Sequence, residues 1–330
     1  MNIREYTEQQ ERQILSPRAC LSTESKGRLT EIEPCPMRTC FQRDIDRVVH
    51  SKSFRRLKHK TQVFLQPEGD HYRTRMTHTL EVSRIARTMA RGLRLNEDLV
   101  EAAALGHDLG HTPFGHAGER ALARVADGGF VHAQQSLRVV DRLENLNLCY
   151  EVRRGILCHS AGEEAETLEG QLVRYADKIA YINHDIDDAM RGGIIFPTDI
   201  PADISQVLGY THGERIETLT RDIIENSQEG DKIRQSPEIG DAMARLKAFM
   251  FESVYFNPLA KGEEGKAEDV VCQLFDYYMH HTDKLPAEYQ DILMREGDQR
   301  AVIDYIAGMT DTYAVEKFGS LFVPMRWVVK

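Results

Sequence analysis

Apolar residues recur at intervals of three and four along most of this chain, and this spacing is the feature that most restricts its fold. Side chains at that spacing share one face of an α-helix, whereas a half-buried strand alternates at every second residue. The first strong segment follows a predicted N-cap at Thr39 and has its apolar positions at Phe41, Ile45, Val48 and Val49. The next has the same spacing at His78, Val82, Ile85 and Met89. Alternation typical of strands is confined to residues 62–65 and 193–196, so the sequence predicts an all-α chain.

Two polar residues interrupt an otherwise apolar helix face. A predicted helix with Asn96 as its N-cap carries on one side Val100, Ala103, Ala104, His107 and Asp108. Burying an imidazole and a carboxylate without partners is costly, and one divalent cation would satisfy both. His78 and Asp177 lie on the apolar faces of two other predicted helices. The four residues together predict a buried metal site; the alternative is a set of polar core residues that satisfy one another.

The distribution of histidine also points to a site in this part of the chain. Six of the 13 histidines fall within residues 71–132, namely His71, His78, His107, His111, His116 and His132. Such clustering indicates a metal site or an acid–base site, with scattered structural histidines as the alternative.

Composition limits the classes of protein to which the chain can belong. Its 330 residues suffice for a sizeable core, and no apolar run approaches the length of about 18 residues that a membrane helix needs. The first twenty residues lack the apolar stretch of a signal peptide. The six cysteines form no CxxC pair, which is typical of reduced thiols in a cytoplasmic protein. We therefore expect a soluble cytoplasmic enzyme with no membrane partner.

The charge is acidic overall but basic in one segment. Lys and Arg number 42 against 52 Asp and Glu, and the net charge of −10 argues against a surface dedicated to nucleic acid. Residues 41–60 nevertheless contain seven Lys and Arg against two Asp. Two interpretations of this basic segment stay open: a solvated helix face, or a surface that binds the phosphates of a nucleotide or of nucleic acid.

Four stretches of the chain resemble a known family. They are SKSFRRLKHKTQVF, PEGDHYRTRMTHTLEVSRIARTMARGLRLNEDL, ALGHDLGHTPFGHAGE and VRYADKIAYINHDIDDA. Together with RTCFQRD near the N-terminus and the C-terminal segment, they extend over most of the sequence, and HDLGHTPFGHAGE is the most specific of them. The chain resembles the HD-domain metal phosphohydrolases, and among these the bacterial deoxyguanosinetriphosphate triphosphohydrolase-like proteins.

This resemblance implies the domain organisation and the metal ligands. It implies an all-α HD-domain core at residues 61–225, preceded by a lead-in with the basic segment at residues 1–60. A helical C-terminal extension at residues 226–330 would belong to the same compact unit. The family's ligand order of His, His-Asp and Asp implies one divalent ion held by His78, His107, Asp108 and Asp177. Mn, Mg, Fe, Ni and Zn all remain open, because a set of His and Asp ligands suits several metals.

The resemblance also implies the catalytic groups. His116 and Glu119 are three residues apart at the start of a predicted helix, and the carboxylate would orient a histidine that transfers a proton. His111, on the Gly-Pro turn before them, would contact phosphate or metal, with structural capping as the alternative. His132 would also be catalytic, although Ala-Gln follows it where the family more usually has Asn-Glu or Asn-Ala.

Seven further residues would contact the substrate by the same resemblance: Gln62, Arg75, Lys178, Tyr181, Asp185, Lys247 and Tyr255. The arginine, the two lysines and Tyr181 would bind phosphate, Gln62 and Asp185 the sugar hydroxyl, and Tyr255 the base. A buried amide and a carboxylate that grip one hydroxyl would be left unpaired by a substrate that lacks it. The alternative is that these are ordinary exposed polar residues. For Lys247 and Tyr255 the alternative is an ordinary amphipathic helix.

The implied activity is that of a metal-dependent dNTP triphosphohydrolase, in which a metal-activated water attacks the α-phosphorus and releases deoxynucleoside and inorganic triphosphate. One alternative is a nucleoside monophosphatase or phosphodiesterase of the same superfamily, although the chain has no GYP segment of the cyclic-dinucleotide type. Another is a nucleotide-sensing or single-strand-binding regulator with vestigial hydrolysis, against which His116 and Glu119 argue. The implied partners are the dNTP, an allosteric nucleotide and further copies of the chain; single-stranded nucleic acid rests only on the basic segment.

Overall fold

A computed structural model describes residues 1–62, 73–160, 162–255 and 262–324 of the chain. Within these ranges the regular structure is helical, and pairing of extended segments is limited to two single bridges, Arg28 with Cys149 and Thr61 with Thr74. The prediction of an all-α chain is therefore confirmed.

Sixteen α-helices lie in these ranges. The first nine are α1 (Ile3–Ile14), α2 (Cys40–Val49), α3 (Lys52–Arg56), α4 (Arg75–Leu93), α5 (Glu97–Gly106), α6 (Gly115–Val125), α7 (His132–Arg138), α8 (Tyr150–Cys158) and α9 (Leu168–Arg191). The others are α10 (Ala202–Leu208), α11 (His212–Asn226), α12 (Pro237–Met250), α13 (Glu264–His280), α14 (Ala287–Glu296), α15 (Asp298–Ala307) and α16 (Asp311–Phe322). Among the described residues, no helix has both the length and the apolar character that crossing a membrane requires.

Capping explains where α2 and α5 begin. The Thr39 side chain accepts the backbone N–H of Gln42 at the start of α2, and the Asn96 side chain accepts two backbone N–H groups at the start of α5. Each cap satisfies N–H groups that have no partner within the helix. Both predicted N-caps are therefore confirmed.

Helices α4, α5 and α9 pack together at the centre of the largest hydrophobic cluster in the described residues. Met89 of α4, Val100 of α5 and Leu172 of α9 are fully buried in it. Because α4 and α5 are joined by a short turn, the beginning of α4 lies beside the end of α5, and both face the middle of α9. This arrangement brings together polar residues from three distant parts of the sequence.

A second hydrophobic cluster joins the C-terminal helices to α6. Phe114 and Leu122 are buried there with Val271 of α13 and Ile306 of α15. Helix α6 therefore has one face against the C-terminal region. The division of the chain at residues 60 and 225 stays a prediction.

The structure differs from the sequence prediction in two places. Helix α5 ends at Gly106, so His107 is its C-cap and Asp108 lies in the turn that follows, not on the helix itself. Residues 193–196 form no strand, because the chain turns directly after α9 with Gly193 at φ 67°. The other predicted strand, residues 62–65, lies outside the described residues from position 63 onward.

Candidate metal centre and active site

The four residues predicted as metal ligands lie together where the N-terminal end of α4 and the C-terminal end of α5 meet the middle of α9. Nitrogen or oxygen atoms of His78, His107 and Asp108 all lie within 4.8 Å of one another. Asp177 joins them from α9, with its Oδ1 3.1 Å from His78 Nε2 and 3.9 Å from His107 Nε2. Donor atoms that share one metal at about 2.0–2.2 Å lie up to about 4.4 Å apart. The cluster is therefore close to the dimensions of a metal site.

The neighbours of His78 determine which of its nitrogens is free to bind a metal. His78 Nδ1 lies 3.3 Å from His184 Nδ1, and His184 Nε2 lies 2.9 Å from a carboxylate oxygen of Glu81. The carboxylate favours a proton on His184 Nε2, so His184 Nδ1 accepts the Nδ1 proton of His78. His78 Nε2 then keeps a lone pair that faces the Asp177 oxygen at 3.1 Å. In this tautomer, His78 Nε2 and the Asp177 oxygen can ligate one cation together, which suits a metal site.

His107 is held in the same tautomer by a bond to the backbone. It donates Nδ1–H to the carbonyl of Ala104 at 2.6 Å, and its buried Nε2 has no hydrogen-bond partner among the residues that the structure describes. His159 caps α8 in the same way, donating Nδ1–H to the carbonyl of Ile156 at 2.6 Å. Donor atoms of His107, His159 and Asp177 lie within 4.8 Å of one another. The structure thus adds a third imidazole with an unprotonated Nε2 beside the predicted ligands.

The electrostatics of the cluster keep its carboxylates charged. Burial raises the pKa of Asp108, but the neighbouring histidines and Arg75 outweigh burial and hold it well below its ordinary range. Burial likewise raises the pKa of Asp177, and the neighbouring His78 and His107 outweigh this effect, so its pKa lies below the ordinary value. Carboxylates beside unprotonated imidazole nitrogens suit a divalent transition metal. The residues therefore fit a metal ion, whereas the identity and number of ions stay predictions.

Arg75 and His111 bring unpaired buried nitrogens to the edge of the cluster. Arg75 Nη1 donates to Asp108 Oδ2 at 2.7 Å, whereas its Nε and Nη2 are buried and unpaired within the described ranges, as is His111 Nδ1. Burial, followed by the charges of Arg75 and His132, lowers the pKa of His111 well below its ordinary value, so its imidazole is neutral. Buried donors without acceptors are costly. An anionic group of a ligand beside the metal would satisfy the guanidinium.

A row of four polar side chains runs from the surface to the metal cluster. Glu119 Oε2 lies 3.2 Å from Nδ1 of His116, and Glu119 Oε1 lies 2.8 Å from Nδ1 of His132. His132 Nε2 lies 3.1 Å from His159 Nε2. Burial lowers the pKa of His132, but Glu119 outweighs burial and raises it, whereas burial lowers the pKa of His159 to about 3. His132 therefore lies between a carboxylate that favours its protonated form and a neutral imidazole, which is an arrangement suited to proton transfer.

The predicted pairing of His116 with Glu119 is observed, but Glu119 does more than orient His116. Its Oε1 also accepts the backbone N–H of His132 at 2.9 Å, so one oxygen holds His132 through both its backbone and its ring while the other faces His116. Burial raises the pKa of Glu119, and the hydrogen bonds from His116 and His132 outweigh burial, so its pKa lies far below the ordinary value. The Ala-Gln sequence after His132 does not keep this histidine out of the site.

Two glycines of HDLGHTPFGHAGE permit the close packing of this loop. A Cβ on Gly110 would lie 2.1 Å from the backbone nitrogen of Ser136, and one on Gly118 would lie 2.0 Å from the carbonyl oxygen of Pro113. Gly110 N–H donates to Ser136 Oγ at 2.9 Å, and that hydroxyl donates to the carbonyl of His107 at 2.6 Å. Helix α7, which carries His132, is thereby held against the turn after α5.

Helix α9 and the end of α12 bring together most of the predicted substrate contacts. Tyr181 and Asp185 follow Asp177 at successive turns of α9, and the Tyr255 hydroxyl donates to Asp185 Oδ2. Tyr255 closes a π-helical segment, Phe251–Tyr255, that continues α12. Burial, and then the charge of Asp185, raises the pKa of both tyrosines above the ordinary value, so their hydroxyls stay protonated as donors.

The two lysines predicted to bind phosphate lie on α9 and α12. Burial lowers the pKa of Lys178, and so do the positive charges of Arg174 and then Lys247. The ammonium groups of Lys178 and Lys247 therefore repel each other. Lys178 Nζ lies 5.7 Å from the ring centre of Tyr175, and Lys247 Nζ lies 5.8 Å from that of Phe251. The predicted sharing of one polyphosphate by Lys178 and Lys247 stays a prediction.

Gln62 lies next to the start of α4. The bridge between Thr61 and Thr74, and a hydrogen bond of 3.1 Å from Arg75 N–H to the carbonyl of Lys60, fix this segment beside Arg75. The side-chain oxygen of Gln62 is buried and unpaired within the part of the chain that the structure describes. The amide is thus available to a ligand, as its predicted role in sugar recognition requires.

The basic segment borders a different space. Lys52, Arg56 and Lys60 help to line a cavity of about 880 Å³ whose lining contains none of the predicted metal ligands. Lys60 is buried, and its Nζ donates to the carbonyl of His111 and, at 2.8 Å, to that of Ala307. Burial lowers the pKa of Lys60 to about 7. Lys60 thus supports the back of the His111 loop, and the anion-binding interpretation of the segment stays a prediction.

His159 and His184 are the residues of this site that sequence reasoning did not assign. His159 continues the buried face of Val152 and Ile156 at helical spacing, which was an available signal. His184 follows Asp177 by seven residues, which puts both on one face of a helix and was a second available signal. His71, one of the clustered histidines, lies outside the described residues.

Sequence comparisons bear on this geometry. A family model of the HD domain matches residues 75–182, and a model of the phosphohydrolase-associated domain matches residues 233–320. A deoxyguanosinetriphosphate triphosphohydrolase-like protein of Caldanaerobacter subterraneus subsp. tengcongensis is 57% identical over 99% of this chain and 98% of its own length. Proteins with the same name in Desulfatibacillum aliphaticivorans and Clostridium perfringens are 49% and 48% identical over 99% and 98% of this chain, and over 100% and 98% of their own lengths.

Solved structures give a more distant likeness. A phosphohydrolase from Bacteroides thetaiotaomicron aligns with a TM-score of 0.53 at 17% identity, over 84% of this chain and 69% of its own. At that identity the likeness concerns the fold alone. The fold of this chain is therefore similar to that of a known structure.

Proposed function

Since this chain belongs to the HD-domain family of deoxyguanosinetriphosphate triphosphohydrolase-like proteins, we propose that it hydrolyses a dNTP to deoxynucleoside and inorganic triphosphate. That the chain is a phosphohydrolase follows from the family. The finer proposal rests on one observation: the unpaired guanidinium nitrogens of Arg75 lie beside the buried cluster of His78, His107, Asp108 and Asp177. The Arg75 guanidinium would bind the phosphate nearest the metal, and Lys178 and Lys247 would bind the remaining phosphates.

The reaction divides naturally among the residues of the site. His78, His107, Asp108 and Asp177 would hold one divalent ion, which when bound polarises a phosphoryl oxygen and acidifies water. Arg75 would orient the α-phosphate by donating from its two free nitrogens. Attack of water at the α-phosphorus breaks the bond to the 5′ oxygen of the sugar, and that oxygen needs a proton.

His116 and His132 are the proposed sources of that proton. His132 carries a proton because Glu119 raises its pKa, and His116 lies on the other oxygen of the same carboxylate. A histidine on a carboxylate both gives and regains a proton near neutral pH. We propose that one of these histidines protonates the leaving 5′ oxygen and regains its proton from the attacking water, while the Glu119 carboxylate stabilises the protonated imidazole.

The reaction products test the proposal. Purified protein with Mn²⁺ and each of the four dNTPs is expected to release inorganic triphosphate, visible by ³¹P NMR, together with free deoxynucleoside. Chelation of the metal is expected to stop the reaction, and replacement of Mn²⁺ to restore it, because the ligands stay in place. Orthophosphate from a deoxynucleoside monophosphate would instead favour a monophosphatase, and saturable nucleotide binding without turnover would favour a sensor.

Selection of the 3′-hydroxyl provides a prediction for Gln62. Replacing Gln62 with alanine is expected to lower the ratio of kcat/KM for a dNTP over its 3′-deoxy analogue by about tenfold, because the hydroxyl loses one of its two proposed partners. Gln228→Ala, at an exposed glutamine after α11, is the matched control. The same ratio in both variants would remove Gln62 from the sugar site.

The remaining partners stay predictions. An allosteric nucleotide, a homo-oligomer and single-stranded nucleic acid are each compatible with a basic segment that borders a cavity separate from the metal cluster. The cytoplasmic location likewise remains an expectation from the sequence.

A further inference from the structure

Asp311, from the C-terminal region, reaches into the wall of the proposed active site. It is the first residue of α16 and is buried, with 3% of its surface exposed. Its Oδ2 accepts the backbone N–H of Thr61 at 2.8 Å and also the Thr61 hydroxyl, and its Oδ1 accepts the backbone N–H of Phe114 at 2.9 Å. One carboxylate thus joins two segments that are more than fifty residues apart in the sequence.

Each of these segments carries residues with proposed roles. Thr61 directly precedes Gln62, the proposed partner of the 3′-hydroxyl. Phe114 is the N-cap of α6, whose first two turns carry His116 and Glu119. The two segments also contact each other, because a Cβ on Gly115 would lie 3.5 Å from the carbonyl oxygens of both Thr61 and Gln62. Asp311 therefore lies where the sugar-recognition segment meets the proton-transfer helix.

The backbone at Phe114 shows that this junction depends on outside support. Phe114 has φ 62° and ψ 22°, a left-handed conformation that is unfavourable for a residue with a Cβ. Its side chain is buried against the C-terminal helices, and its N–H is held by Asp311. Strained backbone of this kind persists when its surroundings determine it. The C-terminal region supplies both restraints.

None of the four proposed metal ligands is bonded to Asp311. His78, His107, Asp108 and Asp177 lie on α4, on the turn after α5 and on α9, whereas the bonds of Asp311 go to Thr61 and Phe114. Different residues therefore hold the metal ligands and the groups around the substrate in place. Loss of Asp311 should separate them experimentally.

We propose that Asp311 is a positioning residue that sets the distance between Gln62 and the His116–Glu119 pair. This inference rests on the proposed function, because it assigns Asp311 to the same reaction. An asparagine in its place has one acceptor oxygen and an NH₂ group that donates, so it cannot accept from both Thr61 and Phe114. One of the two segments is then released while the size of the side chain is kept.

The test compares Asp311→Asn with Asp298→Asn in the Mn²⁺-loaded protein. Asp298 is the matched control, since it is also the first residue of a helix, α15, but is exposed. In Asp311→Asn we expect amide hydrogen exchange at Thr61 or Phe114 to accelerate about tenfold or more. We also expect kcat to fall about 10²-fold, and the preference for a dNTP over its 3′-deoxy analogue to fall about tenfold, with bound metal unchanged. Thr61→Val, which removes only the hydroxyl donor, is expected to lower that preference in the same direction.

Two results would overturn the proposal. One is unchanged exchange at both amides; the other is a kcat and a 3′-hydroxyl preference, per folded molecule, equal to those of Asp298→Asn. A residue that only stabilises the fold would lower the melting temperature and leave both kinetic quantities unchanged. If the wild-type protein cleaves no dNTP, the proposed function fails. The exchange measurement then still decides whether Asp311 holds the two segments together.

Discussion

Asp177→Ala is expected to lose its bound metal and at least about 10³-fold of its activity. Asp177 supplies the carboxylate oxygen that lies 3.1 Å from His78 Nε2 and 3.9 Å from His107 Nε2. Without it, two imidazole lone pairs remain, and the site loses one of its two negative charges. Removing a group that only supports a ligand already costs about 10–100-fold in metal affinity, so loss of a ligand should cost more.

Metal analysis of the purified variant and steady-state kinetics measure this effect side by side. Asp187→Asn is the matched control, because that carboxylate lies on the same helix and pairs with Arg73 instead. It should keep its metal and its kcat. An Asp177→Ala variant that retained a full equivalent of metal would require a different set of ligands, with His159 the first residue to consider.

Glu119→Gln is expected to show the opposite separation: metal content and dNTP affinity near wild type, with kcat lower by about 10²-fold or more. Glutamine keeps the size of the side chain but has a single acceptor oxygen, whereas Glu119 accepts from both His116 and His132. Removing the negative charge also lowers the pKa of His132, which Glu119 raises against the effect of burial. His132 then loses the proton that the proposed reaction requires at neutral pH.

The control for this variant is Glu268→Gln. Glu268 lies on α13 and pairs with Arg120 and Arg124, which are on α6 like Glu119. It contacts no histidine of the site. Its kcat should equal that of the wild type. NMR titration of the His132 ring provides a readout other than activity, since its pKa should fall in Glu119→Gln and stay in place in Glu268→Gln. Loss of metal from Glu119→Gln, or an unchanged kcat, would contradict the role assigned to this residue.

Local sequence patterns sufficed to predict the helices and the four residues that the structure brings together in one His/Asp cluster. Thr39 and Asn96 were identifiable as N-caps because a side chain that caps a helix acts on residues two or three positions away. His78 and Asp177 stood out because a polar residue on an apolar helix face needs a partner in the core. The sequence could not show that α5 ends at Gly106, since the residues after it continue the helical pattern of side chains.

The contact of His132 with Glu119 could not be predicted from local sequence patterns. His116 is three residues from Glu119 and could be paired with it on one helix, whereas His132 reaches the same carboxylate from α7, across a loop. His159 then arrives from the end of α8 to contact His132. Nothing in the spacing of these residues encodes the angle between their helices.

By itself, the sequence determined the all-α class and identified the candidate metal ligands, because these depend on residue type and on periodicity within a few turns. Only the tertiary structure decided the tautomer of His78 through His184 and Glu81, the row from His116 to His159, and the contact of Asp311 with Thr61 and Phe114. These depend on how helices from distant parts of the chain pack against one another. The physical reason is that hydrogen bonds act over about 3 Å, and such distances between separate helices are set by the packing of the whole core.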